Sequence, residues 1–132
     1  MNTVIQIASI LLRVFGTLAL ILGLLFWIGI GSNFIAVHML LGLLVVILLW
    51  IVGVGQAVSK NGSWMLAISA LILGALVLVF GLRQSSLLVG PFHWVIQVIH
   101  LLLGFLAVGV GQASVGRYKK ATTGHIVTQS ST

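Results

Sequence analysis

Apolar residues gather into four long stretches, Val14–Ile30, Phe34–Ala57, Trp64–Leu82 and Phe92–Ser114, parted by short polar breaks. Each stretch is near the ~20 residues that an α-helix needs to cross about 30 Å of hydrocarbon. The breaks carry turn chemistry: Gly31-Ser32-Asn33, then Ser59 to Ser63, then Arg83-Gln84-Ser85-Ser86 running on to Gly90-Pro91. Pro91, the only proline, falls where a first-turn residue of the fourth helix is expected. Trp27, Trp64 and Trp94 lie near segment ends, where an indole sits well at headgroup level. Trp50 lies inside its segment and is expected to pack or to face lipid. The pattern predicts an all-α, integral membrane four-helix bundle over residues 1–120, built as two helical hairpins. Ahead of it, Met1–Leu12 places Gln6, Ser9 and Arg13 at helical spacing, as an interfacial lead-in or an extension of the first helix. A secretory signal peptide is not expected, because no basic n-region or Ala-x-Ala-like site is present. Residues 121–132 are polar, rich in Thr and Ser, and are expected to form a disordered cytoplasmic tail. His125 lies there and is given no role.

Composition agrees with the pattern and removes many functions. With 61% hydrophobic and 5% charged residues, the chain cannot furnish the polar exterior of a soluble domain. It has no cysteine, so disulfides, thiolate metal sites, iron–sulfur clusters and covalently attached haem are excluded. The +6 charge lies in turns and near the C-terminus, which reads as membrane orientation rather than nucleic-acid binding. Arg13, Lys60, Arg117, Lys119 and Lys120 fall on one side of the four-span arrangement and Arg83 on the other. That asymmetry predicts a multi-pass protein of the inner or plasma membrane with both termini in the cytoplasm. There is no Asp and no Glu. Carboxylate-coupled export, as in small four-span drug transporters, and acidic ion relays therefore have no residue to run on. The two Gly-x-Gly elements follow apolar helices rather than strands, which does not support a nucleotide loop.

The second and fourth segments share two local elements. His38-Met39-Leu40-Leu41-Gly42 matches His100-Leu101-Leu102-Leu103-Gly104, and Gly53-Val54-Gly55-Gln56-Ala57 matches Gly109-Val110-Gly111-Gln112-Ala113. The registers differ: His to Gln spans 18 residues in one segment (38 to 56) and 12 in the other (100 to 112). Counted back from Gln112, His93 at 19 residues is the nearer counterpart of His38. An internal repeat and chance likeness between Leu, Gly and Val runs both remain open. His93, Gln97, His100, Gly104 and Gly111 share one helical face, as do His38, Gly42, Val45, Leu49, Gly53 and Gln56. Gly16, Ala19 and Gly23 form a small-residue seam on the first helix, and Ala67, Ala70, Gly74 and Gly81 form one on the third. Such seams let helix backbones approach closely in lipid.

Packing does not account for the histidines. An imidazole at membrane depth is costly without a partner, and no carboxylate is available to serve as one. Polar packing near headgroup water remains one account, above all for His93 at a helix start. A zinc or non-haem iron site would need three imidazoles to converge. The two His-x-x-x-Gly elements, on helices predicted to start at one membrane face, resemble those of the small bacterial membrane cytochromes of b type. That resemblance implies haem b held between His38 and His100 as axial metal ligands, with Gly42 and Gly104 clearing space for the macrocycle. It also implies Gln97 orienting a histidine, Arg83 meeting haem propionates, and His93 as propionate contact, supporting group or alternative ligand. His93 and His100 stand seven residues apart, about 10 Å along a helix, so only one can be level with His38. The implied function is electron transfer, with membrane quinone as an exchange partner, and turnover as an enzyme is not implied. The alternative is a cofactor-free scaffold or accessory subunit of a larger membrane complex. Glycine on all four helices also leaves room for a homodimer, and no nucleic-acid partner is expected.

Overall fold

The computed structural model describes residues 3–129, with side chains described through residue 120 and at Thr123. Four helices, α1 (Thr3–Trp27), α2 (Ile35–Ala57), α3 (Trp64–Arg83) and α4 (His93–Gln129), are joined by 3-10 turns at Ser32–Phe34 and Gln84–Ser86 and by a tight α2–α3 turn. No strand occurs among the described residues. All four helices are long and apolar enough to cross a membrane, and they pack as a bundle. α2 and α4 each pack against every other helix, while α1 and α3 take opposite flanks. The two histidine-bearing helices therefore form the central pair.

One end of the bundle is dense and the other is open. Leu12, Val46, Leu49, Val52, Ala107 and Val115 lie in the core. They belong to the end that holds the chain termini and the α2–α3 turn, or to the middle of the bundle. Glycines make this end tight, as expected where lipid offers no hydrophobic drive and close backbone approach must supply dispersion. Gly55 receives Ile5, Gly111 receives Leu12, Gly53 meets Ala70 and Gly74 meets the Trp50 indole. Trp50 is thus a half-buried packing residue. Toward the other end, α1 beyond Gly16, α2 before Val45 and α3 beyond Val77 bury no residue.

One alternative of the sequence reading is decided by the structure, and two boundaries differ from it. α1 is one helix from Thr3, with Ile5, Ala8, Ser9 and Leu12 buried, so the lead-in is an extension of the first helix, as one of its two readings has it, and not an interfacial segment. It stops at Trp27, short of Ile30, because Gly29 and Gly31 turn the chain at φ 81°. Arg13 consequently lies inside α1, where its Nε donates to Gln112 Oε1 of α4 at 2.7 Å. α4 passes the expected end at Ser114 and continues as helix to Gln129, through most of the segment expected to be disordered. Within that extension a hydroxyl residue can turn its side chain back onto the carbonyl one turn earlier. Thr123 Oγ1 does so, donating to the Lys119 carbonyl at 3.0 Å. Residues 130–132 of the expected tail lie outside the described residues.

The α2–α3 turn is held by Gln56, which is fully buried. Its Nε2 donates to the carbonyls of Ser63 at 2.7 Å and Gly53 at 3.1 Å, and its Oε1 accepts from Ser63 N–H at 3.1 Å. Ser63 in turn caps α3, its hydroxyl accepting from Leu66 N–H at 3.4 Å. The chain between them passes so close to the end of α2 that a β-carbon on Gly62 would overlap the Gln56 and Ala57 carbonyls. Those obstacles are backbone and cannot swing aside. Gly62→Ala is expected to cost about 1–3 kcal/mol, the range for overpacking. Unfolding in mixed detergent micelles measures this, and an unchanged midpoint would show that the turn can open without loss.

Candidate functional site

The open end encloses a cavity of about 540 Å³ lined by all four helices. Cofactor and ligand sites commonly occupy ~300–1,000 Å³ between packed elements. His38, Gly42, His93, Gln97, His100 and Gly104 all line it. Helical phase brings them there: the shared faces of α2 and α4 point into the bundle at its loosely packed end.

His38 and His100 meet across the cavity with ring centroids 6.3 Å apart and planes at 65°. Phe26 of α1 stacks edge-on against His38 at 5.4 Å. Nδ1 of His38 and Nδ1 of His100 are both buried and have no hydrogen-bond partner. A buried polar group without a partner is costly and calls for an explanation. His93 differs, because its Nδ1 lies 3.3 Å from the Leu87 carbonyl. Among the described residues, no group of three or more His, Cys, Asp or Glu side chains gathers around an ion-sized space. The arrangement is a pair of imidazoles.

Two glycines seat the rings. A β-carbon on Gly81 of α3 would stand 3.1 Å from His100 Cε1, and one on Gly23 of α1 would stand 3.4 Å from His38 Cε1. His38 also faces the backbone of Ala19 on α1. The sequence reading assigned Gly23 and Gly81 to helix packing, and their role beside the histidines depends on which helices become neighbours. Gly42 opens onto empty space, and Gly104 approaches only Leu20. Gln97 lines the cavity but makes no hydrogen bond to His93 or His100. Arg83 is exposed at the end of α3 and does not line the cavity, although Gln84 and Ser85 beside it do. Phe26 carries no motif, and only the packing of α1 on α2 brings it to the site.

Fold and site together define a small helical bundle of membrane-spanning character with a paired-histidine cavity at one end. Compared with protein-family profiles, with curated proteins and with solved structures, the chain matches none.

Proposed function

We propose that the protein is a small integral membrane haem-binding protein of b type that carries electrons. The observation that supports this reading is the half-buried imidazole pair, each ring with a buried Nδ1 lacking any partner, inside a cavity that four helices share. Two imidazoles that face one another across a shared cavity are the pair of donors that a haem iron would need. The donor set also fits: haem iron accepts two neutral imidazoles, and the chain has no carboxylate or thiolate to complete another coordination shell.

On this reading His38 and His100 hold the iron, and Gly42 leaves room beside the first of them. Bound haem supplies one-electron chemistry that no side chain here can perform. Phe26, Leu20, Val45 and Val77 give the cavity part of its apolar lining. Gln97 and His93 supply polar atoms on its wall. Arg83 is the cation at this end of the bundle among the described residues, and is suited to meet a carboxylate there. The same reading has both termini in the cytoplasm, from the basic residues at the opposite end. Quinone in the bilayer is the exchange partner this reading favours.

The test is a dithionite-reduced minus oxidised visible spectrum of protein purified in detergent from cells supplied with haem precursor. A sharp α-band at the b-type position is the expected result. A colourless protein that remains helical would overturn the haem reading and leave the cofactor-free scaffold.

A further inference from the structure

The chain carries six Lys and Arg side chains and not one Asp or Glu, so no side chain can neutralise its cations. At the dense end of the bundle, far from the histidines, a groove of about 650 Å³ lies between α3 and α4. Its lining is Asn61, Leu66, Ala113, Gly116, Arg117 and Lys120. Arg117 Nε reaches the Asn61 carbonyl at 3.5 Å, a long contact to a neutral acceptor for a group with five N–H donors. Lys120 follows three residues later on the same face of α4 and is exposed. Ala113 and Gly116 leave the wall between the helices shallow, and a β-carbon on Gly116 would meet nothing within 4 Å. Leu66 supplies the opposite, apolar side.

A second groove at the same end, of about 690 Å³ between α1 and α2, is the useful contrast. It is lined by apolar side chains with Ser59 and Tyr118, and no Lys or Arg borders it. Of these two grooves, the α3–α4 one joins cations to an apolar trough. We propose that it is a binding site for an anionic phospholipid, with the headgroup phosphate on Arg117 and Lys120 and an acyl chain against Leu66, Ala113 and Gly116. Arginine pairs well with phosphate because two parallel N–H donors match two oxygens. Basic pockets between spanning helices bind anionic headgroups by this combination of charge and groove. The site is independent of the histidine cavity.

Native mass spectrometry of the full chain in detergent, titrated with phosphatidylglycerol or phosphatidylcholine, reads this directly. Phosphatidylglycerol is expected to bind at least tenfold more tightly. Each cation near the surface contributes roughly fivefold, so Arg117→Gln with Lys120→Gln should weaken binding roughly 10- to 30-fold. Lys120→Gln alone keeps the Arg117–Asn61 contact and should lose roughly fivefold. Ala113→Leu fills the trough with all charges intact and is also expected to weaken binding. Lys119→Gln removes an exposed cation outside the groove and should change it less than twofold. Far-UV circular dichroism confirms that each variant is folded. Equal affinity for the two lipids, equal losses in the Lys119 and Lys120 variants, or no loss in Ala113→Leu would overturn the site. Competition by millimolar inorganic phosphate would also overturn it, assigning the cations to free phosphate instead.

Discussion

His38→Ala and His100→Ala are each expected to abolish the b-type α-band, whereas His93→Ala keeps most of it. The expectation follows from what each ring touches. His38 and His100 face one another at 6.3 Å, each with a buried nitrogen that has no partner. His93 has the Leu87 carbonyl against its Nδ1 and sits two helical turns from His100, about 10 Å away along α4. Alanine at 38 or 100 removes a buried Nδ1 that has no partner, at 38 together with the contact to the Ala19 backbone, and leaves the packed end of the bundle untouched. Both variants should therefore remain helical, and a lost spectrum then reports a lost ligand rather than a lost fold. Imidazole added to either variant can enter the vacated space and restore part of the band. Loss in His93→Ala with retention in His100→Ala would reassign the ligand on α4 and leave the bundle argument standing.

Gln56→Leu is expected to destabilise the bundle by about 2–4 kcal/mol, and Gln112→Leu by about 1 kcal/mol or less. The two glutamines occupy the same place in the repeated Gly-Val-Gly-Gln-Ala, so the sequence offers no reason to separate them. Gln56 is fully buried and satisfies both the N–H and the carbonyl of Ser63, the residue that starts α3. Leucine leaves the Ser63 N–H without its partner and the Ser63 carbonyl with the Ala67 N–H alone, in a partly buried turn. Hydrogen bonds between spanning helices average only ~0.6 kcal/mol, because partners are also found in the unfolded state. Three bonds on one side chain, two of them to the turn itself, make Gln56 the exception. Gln112 Oε1 accepts from Arg13 on the exposed side, while its Nε2 is buried with no partner. Leucine there removes one bond and one unsatisfied group together, and the two effects offset. Equal losses at both positions in sodium dodecyl sulfate titrations would show that the turn is not what Gln56 holds.

The contrast between these glutamines shows why a repeated motif can be read without its role being readable. The five residues match, but Gln56 is followed by a turn back into the bundle and Gln112 by further helix. Arg13 is a second instance. The apolar stretch begins just after it, at Val14, yet α1 begins ten residues before Arg13, where Ile5 and Leu12 find glycines on α2 and α4. A single cation whose long side chain can reach water does not end a helix in lipid.

Hydropathy and turn residues sufficed for α2 and α3, whose observed bounds fall within a residue of those expected. They also sufficed for the number of helices and for the absence of strands among the described residues. Those features are local: an apolar run must close its own backbone hydrogen bonds in a membrane, and a helix is how one segment does so. Helical phase likewise put three histidines on inward faces, because 3.6 residues per turn holds whatever the neighbours are. Pairing is not local. That α2 and α4 form the central pair, that Phe26, Gly23 and Gly81 flank the imidazoles, and that the bundle is dense at one end and hollow at the other depend on contacts between segments distant in the chain. A glycine reads the same in sequence whether it receives a leucine, an indole or an imidazole. Only the packing of the four helices decides which one arrives.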